Sequence, residues 1–304
     1  MVLPIVHHPA YVAPIPADHR FPMYKFARLI DVLRANGLAH SETLFQPMPA
    51  PRAWVELAHD AAYVTGICTQ RLSDDMVRRI GLPLSAAVAE RSLAATGGTV
   101  LTARLALEHG AAANTAGGSH HAAGPYGAGF CVFNDVAVAA RVLLAEGRVR
   151  RLLVIDLDVH QGDGTAAIFQ NDARVFTFSM HCASNYPARK IPGDLDIALD
   201  SGVEDEAYLT ELDAHLHGLL DSIRPDLVFY NAGVDPHRDD RLGRLALSDA
   251  GLIARDRRVL NACLGRGVPV ACVIGGGYDK DVVALARRHA YVHIAADEAL
   301  RTHA

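Results

Sequence analysis

The stretch that decides the fold covers residues 152–164 and reads Leu152-Leu153-Val154-Ile155-Asp156-Leu157-Asp158-Val159-His160-Gln161-Gly162-Asp163-Gly164. Its first four residues are apolar, which is typical of a strand buried on both faces of a sheet. Three acids, one histidine and two glycines lie within the nine residues that follow. The pattern predicts a buried strand whose carboxyl end carries chemically active side chains.

Three other segments have the same design, a short apolar run followed by polar or glycine-rich residues. They are Val175–Phe178 before Ser179-Met180-His181, Leu227–Tyr230 before Asn231-Ala232-Gly233-Val234-Asp235, and Val268–Ile274 before Gly275-Gly276-Gly277-Tyr278. Helical patterns separate the runs, over Phe133–Glu146, Thr165–Phe169, Glu206–Ile223 and Ser248–Leu264. This alternation predicts an α/β fold, in which helices cover both faces of a parallel sheet. Ligands bind beyond the carboxyl ends of strands in such sheets, so the polar segments should converge on one site.

Composition narrows the class of protein. The chain has 304 residues, of which 50% are hydrophobic and 21% charged, so it has enough apolar surface to bury a large core. It shows no internal repeat and no long polar linker, and we predict one domain over residues 1–304. The formal charge of -5 argues against a nucleic-acid-binding protein.

Cysteine usage and hydropathy bear on location. The five cysteines are widely spaced and form no Cys-x-x-Cys pair, which favours reduced, mostly buried thiols. We find no secretory signal and no apolar run of the length that spans a membrane. These features predict a cytoplasmic protein.

The acids and histidine after residue 155 suggest a metal site. Asp158 and His160 are two residues apart, so in an extended segment both side chains would point to one side. Asp235, at the end of another predicted strand, is the natural third ligand. Carboxylate and imidazole ligands suit Zn²⁺ or another first-row metal, and three ligands leave a position open for catalysis. An isolated Asp-x-Asp would more often cap a turn, but these acids lie at strand ends among glycines.

A second cluster is the pair His120-His121, within Gly117-Gly118-Ser119-His120-His121. Two histidines in a glycine-rich loop favour proton transfer or metal binding. Because the metal ligands are already supplied, we assign the pair to acid–base work. Asp156 and Asp163 are free to orient the two rings. By contrast, we interpret His7-His8, which no acid or glycine loop accompanies, as structural.

The third cluster is Gly275-Gly276-Gly277-Tyr278. Glycines allow the backbone to approach a ligand closely, and the tyrosine would project into the site. A phenol beside a polarised carbonyl can donate a hydrogen bond to a developing oxyanion. No Lys-Ser or Lys-Thr follows the glycines, which excludes a phosphate-binding P-loop.

Taken together, these segments resemble the histone deacetylase family of the arginase/deacetylase fold over nearly the whole chain. The stretches that carry the resemblance are Val55–Tyr63, Gly97-Gly98-Thr99, residues 117–121, Gly129–Asp135, residues 156–164 and residues 275–278. The combination is highly specific, although no single piece is. Asn185–Lys190 and Asp194–Ile197 are similar to bacterial members near class IV.

The resemblance implies roles for individual residues. One catalytic Zn²⁺ would be bound by Asp158, His160 and Asp235. His121, paired with Asp163, would be the general base and acid, His120, paired with Asp156, its electrostatic partner, and Tyr278 the group that polarises the amide carbonyl. The resemblance also implies a lysine tunnel lined by Gly129, Phe130, Tyr186 and Leu242. It implies a structural K⁺ site at Asp156, Asp158, His160, Ser179 and Met180.

The implied function is zinc-dependent hydrolysis of Nε-acyl-lysine, in a protein or peptide, to lysine and a carboxylate. A hydrolase of the same fold that acts on acetylpolyamines is the nearest alternative, and a non-catalytic acyl-lysine-binding protein is the alternative from another class. The physiological substrate and the oligomeric state stay open. The acyl group is acetyl or a longer fatty acyl group. The glycine-rich segments contribute no side chains, so we expect room for a long alkyl chain. The opposite outcome is an acetyl-sized site, in which Phe21 or Met23 plugs that space.

Overall fold

Eight parallel strands form one sheet in the computed structural model, which describes residues 2–303. The strands are β1 (Ile5–Val6), β2 (Leu44–Phe45), β3 (Ala111–Asn114), β4 (Leu152–Asp156), β5 (Val175–Cys182), β6 (Leu195–Leu199), β7 (Leu227–Asn231) and β8 (Val270–Val273). Their order across the sheet is β2-β1-β3-β8-β7-β4-β5-β6. Every described pairing is parallel, as the alternation of strands and helices predicted.

Helices connect the strands and cover the sheet. They are α1 (Lys25–Ala35), α2 (Arg52–Val55), α3 (Ala61–Cys68), α4 (Asp74–Ile80), α5 (Ala86–His109), α6 (Asp135–Ala145), α7 (Asp163–Phe169), α8 (Asp205–Ile223), α9 (Asp249–Leu264) and α10 (Val282–Thr302), with a short 3-10 helix at Pro9–Tyr11. Ser248 caps the amino end of α9, because its side chain accepts a hydrogen bond from the Gly251 backbone N–H.

Strand β4 shows why the sheet is stable in this position. Leu153 and Ile155 belong to one apolar cluster, and Leu152 and Val154 belong to a second. Successive side chains of a strand point to opposite faces, so helices must pack on both faces to bury this continuous apolar run. Burial of each such side chain contributes about 1.5–3 kcal/mol.

The order of the strands creates a crevice. From β4 the chain continues outward through β5 and β6, and β7 then returns to the other side of β4. Such a reversal leaves a crevice beyond the carboxyl ends of the two central strands, which is where open α/β sheets bind ligands. The four apolar runs singled out from the sequence lie in β4, β5, β7 and β8, which are consecutive neighbours in the order β8-β7-β4-β5. The loop that carries His120 and His121 follows β3, which is next to β8.

Two further findings concern the cysteines and the membrane. All five cysteines are free, and four of them are buried. Within residues 2–303, none of the helices is both long enough and apolar enough to cross a membrane.

Candidate active site

Three buried side chains meet in the crevice between β4 and β7. Ligand atoms of Asp158, His160 and Asp235 all lie within 4.8 Å of one another, and each residue is at most 7% exposed. His160 Nδ1 is 3.0 Å from Asp158 Oδ1 and 3.1 Å from Asp235 Oδ2. Ligands bound at 2.0–2.1 Å around a tetrahedral Zn²⁺ are about 3.3 Å apart, so the three atoms fit one such ion.

The prediction that Asp158 and His160 share an extended segment is wrong. Asp158 and His160 do not lie in an extended segment, because β4 ends at Asp156 and residues 158–160 form a bend. The bend folds the chain back on itself, and the His160 backbone N–H donates to Asp158 Oδ1 at 3.0 Å. The side chains therefore meet through the bend and not through the alternation of a strand.

Electrostatics of this cluster also suit a cation. Burial, and then the neighbouring Asp158 carboxylate, raise the pKa of Asp235 to about 7. Two carboxylates this deep in the protein repel each other unless a positive charge lies between them. The donors are two carboxylate oxygens and one imidazole nitrogen without a thiolate, all of which are ligand types that Zn²⁺ accepts.

Next to the cluster, His121 forms a pair with Asp163. Its Nδ1 lies 2.5 Å from Asp163 Oδ1, and the ring is 4% exposed. Burial, together with the adjacent His120, lowers the pKa of His121 to about 4. A neutral ring that donates from Nδ1 to Asp163 keeps a free lone pair on Nε2. This is the arrangement that a general base requires.

His120 has the opposite charge preference. Its Nδ1 lies 2.7 Å from Asp156 Oδ2, and the ring centroid is 4.1 Å from that of His121. Burial by itself lowers the pKa of His120. The Asp156 and Asp158 carboxylates have the larger effect together, and they raise this pKa to about 9. One histidine of the pair is thus cationic at neutral pH and the other is neutral.

The glycine-rich segment after β8 closes the site. The Gly276 N–H donates to Asp158 Oδ2 at 2.7 Å, and a Cβ at this position would overlap the Asp235 carboxylate. Only glycine permits this approach. Tyr278 follows, with its ring centroid 6.2 Å from that of His160. Burial raises the pKa of Tyr278 well above its usual value, so the phenol keeps its proton and can donate it.

An entrance cavity leads from the surface to this chemistry. It has a volume of about 380 Å³. Its walls include His121, His160 and Tyr278 at the inner end, and the four residues that were predicted to line a tunnel, Gly129, Phe130, Tyr186 and Leu242. The Tyr186 ring stands edge-on to His121 at 4.8 Å, and Phe130 lies 5.9 Å from Tyr278.

A smaller inner cavity lies behind Tyr278 and has a volume of about 30 Å³. Phe21 and the cationic side chains Lys25 and Arg91 line it, together with glycines of the two loops. Met23, the other residue expected to plug this space, is 2% exposed but is not among the residues that line it. The cavity has space for no more than about two groups of the size of water.

The residues predicted for a potassium site lie on the β5 side of Asp156, away from β7. Asp156 pairs in register with Ser179 on β5, and both Ser179 and Met180 are buried. The structure therefore brings Asp156, Ser179 and Met180 together beside the loop that carries Asp158 and His160.

Four residues support the site although the sequence analysis gave them no role there. Asp135 accepts hydrogen bonds from the Gly118 and Ser119 N–H groups and so fixes the loop before the histidines. Asp240 accepts from the backbone N–H groups of Tyr278 and Leu242. Asn231 donates to Asp156 at 3.0 Å, and Lys25 Nζ donates to Gly275 O at 3.1 Å. Asp240 could have been found from the sequence, because it is an acid shortly after the proposed ligand Asp235. Lys25 could not, because lysines are common on amphipathic helices such as α1.

Comparisons with known proteins show the family and the fold. A model of the histone deacetylase domain matches residues 19–294. The chain is 55% identical over 296 residues to an uncharacterized protein of Picosynechococcus sp., covering 97% of this chain and 99% of that one. It is 31% identical to histone deacetylase 2 of Arabidopsis thaliana, and the match covers 86% of this chain and 70% of that protein. A solved structure of a histone deacetylase homologue in complex with SAHA has a TM-score of 0.81 at 24% identity, covering 99% and 89%, and shows the same fold.

Proposed function

The chain belongs to the histone deacetylase family, and from this premise we propose that it is a zinc-dependent hydrolase that removes acyl groups from lysine side chains. One observation carries the proposal. A possible metal site, a neutral histidine paired with a carboxylate, and a protonated phenol all border the inner end of one cavity. Amide hydrolysis needs these three functions together, to polarise the carbonyl, activate water and stabilise the oxyanion.

Asp158, His160 and Asp235 would hold the zinc ion. When bound, zinc supplies a Lewis acid that polarises the amide carbonyl and lowers the pKa of water. The donor set and the spacing of its three ligand atoms both fit this ion. Among residues 2–303 the cluster has three members, and three protein ligands would leave one position of a tetrahedral ion open to substrate.

The remaining steps belong to the protein's own side chains. His121 Nε2 takes a proton from the attacking water, and Asp163 stabilises the imidazolium that forms. The Tyr278 hydroxyl donates to the oxygen on which negative charge develops. His121 then returns the proton to the departing lysine amine, which leaves a carboxylate and a free lysine. The positive charge on His120 favours the build-up of negative charge beside it.

The entrance cavity suits the lysine side chain. Phe130 and Tyr186 offer apolar ring surfaces to the methylene groups, and the walls converge on His121 and Tyr278. The inner cavity would receive the acyl group. At about 30 Å³ it favours acetyl, the outcome in which Phe21 limits the space, over a long alkyl chain.

We propose that residues 1–304 form one catalytic domain in the cytoplasm. We also propose that the Asp156, Asp158, His160, Ser179 and Met180 site binds K⁺ as a structural ion, since burial of several oxygen donors beside Asp156 suits a monovalent cation.

The direct test is turnover of a fluorogenic acetyl-lysine peptide. We expect activity that a chelator abolishes and added Zn²⁺ restores. His121→Ala should lack activity, while the matched control His215→Ala, a histidine on α8 paired with Glu211, should keep it. Activity that survives both the chelator and His121→Ala would show that the proposed chemistry is not at this site.

A further inference from the structure

The mouth of the entrance cavity is strongly cationic, although the chain as a whole carries a formal charge of -5. Four arginines line the cavity: Arg20, Arg78, Arg79 and Arg244. The other lining residues among those described include no aspartate or glutamate. The charge at the mouth is therefore positive, opposite in sign to the net charge of the whole chain.

The four arginines come from three separate segments of the chain. Arg20 lies in the loop before α1, Arg78 and Arg79 lie in the last turn of α4, and Arg244 lies in the connection between β7 and α9. All four are exposed to solvent. Their guanidinium groups can therefore reach a molecule bound at the mouth.

Three of these charges lack a carboxylate partner. Arg78 pairs with Asp75 one turn away, but within residues 2–303 no carboxylate oxygen lies within 4.0 Å of Arg20, Arg79 or Arg244. Several other surface arginines are paired, as in Arg257–Glu298, Arg258–Asp213 and Arg266–Asp221, so the unpaired state at the mouth is not imposed by exposure alone.

Two of the unpaired groups rest on aromatic rings. The Arg79 guanidinium carbon is 3.2 Å from the centroid of Tyr126, and that of Arg20 is 5.9 Å from the centroid of Phe130. The Arg79 guanidinium therefore stacks on Tyr126, which orients it while leaving its N–H donors free, and Arg20 lies within the range of a cation–π interaction with Phe130. The rim thus presents oriented positive charge without neutralising it.

We propose that this arginine rim selects acyl-lysines flanked by acidic residues and disfavours polycationic substrates such as acetylpolyamines. The inference rests on the proposed function and names its substrate class. Residues of an extended peptide are about 3.3 Å apart, so carboxylates one or two positions from the acyl-lysine come within reach of the rim. Guanidinium groups bind carboxylates with paired hydrogen bonds, whereas a polyamine's ammonium groups would find like charge and no acceptor carboxylate.

The test is a set of peptides of equal length with a central acetyl-lysine flanked by Glu, Gln or Lys, together with N-acetylspermidine. We expect kcat/KM to fall in the order Glu, Gln, Lys, with about tenfold between the extremes at low salt. The difference should lie in KM and not in kcat, because the rim contacts the substrate equally before and during the reaction. It should shrink as salt is added.

Variants locate the effect. Changing Arg20, Arg79 and Arg244 together to Gln should remove the order among the peptides. The control Arg150→Gln should preserve it, since Arg150 is exposed just before the amino end of β4, at the opposite edge of the sheet from the site. Equal kcat/KM on the three peptides, or preference for N-acetylspermidine, would overturn the inference and leave lysine deacylation intact. Absence of turnover on every acetyl-lysine peptide would overturn the proposed function, and this inference with it.

Discussion

At the scale of single residues, the site separates two histidines that are adjacent in sequence. His120 faces Asp156 and Asp158, whereas His121 faces Asp163 and the entrance cavity. The first ring is therefore held cationic and the second neutral, with pKa values near 9 and 4. The neighbouring groups thus give two identical side chains different protonation states, and only the neutral ring of His121 can accept a proton.

Tyr278 provides the first prediction. Tyr278→Phe removes one donor to the oxyanion and keeps the packing against Phe21 and Phe130. We expect kcat on an acetyl-lysine peptide to fall by about 10²–10³ while zinc content is unchanged. Tyr291→Phe is the matched control, since that ring lies on α10 away from the site and its loss of a hydroxyl should leave kcat as it is. A near wild-type kcat in Tyr278→Phe would assign the phenol another duty.

Acyl length provides the second prediction. The inner cavity of about 30 Å³ should make kcat/KM fall steadily from acetyl- to octanoyl- to myristoyl-lysine peptides. Phe21→Ala, which enlarges that cavity, should narrow the gap between acetyl and octanoyl. Each methylene that then becomes buried contributes about 0.8 kcal/mol. Wild-type kcat/KM that rises with acyl length would show that the cavity opens on binding.

At the scale of elements, α9 holds the two central loops together through one buried residue. Arg255 is fully buried, and its Nη1 donates to Gly233 O at 2.6 Å and to Leu157 O at 3.2 Å. These carbonyls belong to the loops that carry Asp235 and Asp158. Asp256 balances the charge, with Oδ1 3.0 Å from Arg255 Nε.

The third prediction follows from this contact. Arg255→Met leaves two buried carbonyls and the Asp256 carboxylate without their partner, and we expect a loss of about 3–5 kcal/mol in the free energy of unfolding. Arg258→Met on the same helix removes only an exposed pair with Asp213 and should cost less than about 1 kcal/mol. Denaturant unfolding measures both. Equal midpoints for the two variants would contradict the role given to Arg255.

How much of these elements the sequence predicts depends on the residue types. The apolar runs of β4, β5, β7 and β8 are placed within a few residues, because β-branched and large apolar side chains distinguish them. Strand β3 is missed since three of its four residues are alanine, and only pairing with β1 and β8 makes it a strand. Helix α5 is obscured by Gly97 and Gly98, which Met48 and Tyr11 approach too closely for any side chain.

The site shows the same division. Asp158, His160, Asp235, the histidine pair and Tyr278 are detectable because charged residues and glycines at strand ends are unusual. Lys25 and Arg255 are not, since cations on amphipathic helices are ordinarily solvent-exposed and only tertiary contacts show that these two are buried. The arginine rim is likewise a product of folding, because its members come from three segments spread between Arg20 and Arg244.

At the scale of the whole molecule, the strand order brings distant segments to one point. The site residues span positions 120–278, yet they meet because β3, β8, β7 and β4 are adjacent and parallel. Their carboxyl ends therefore share one edge of the sheet. Apolar side chains bury the sheet on both faces and so hold this edge in place. The three proposed metal-ligand atoms lie within 4.8 Å of one another at that edge.

The measurement that bears most directly on this account is the zinc content of the purified protein. We predict one Zn²⁺ per chain in the wild type and a strong loss of zinc in Asp235→Ala, because two ligands do not complete a tetrahedral site. The control Asp213→Ala, which removes an exposed surface carboxylate, should retain one Zn²⁺. Full zinc occupancy in Asp235→Ala, measured by elemental analysis beside that control, would contradict the assignment of the metal site.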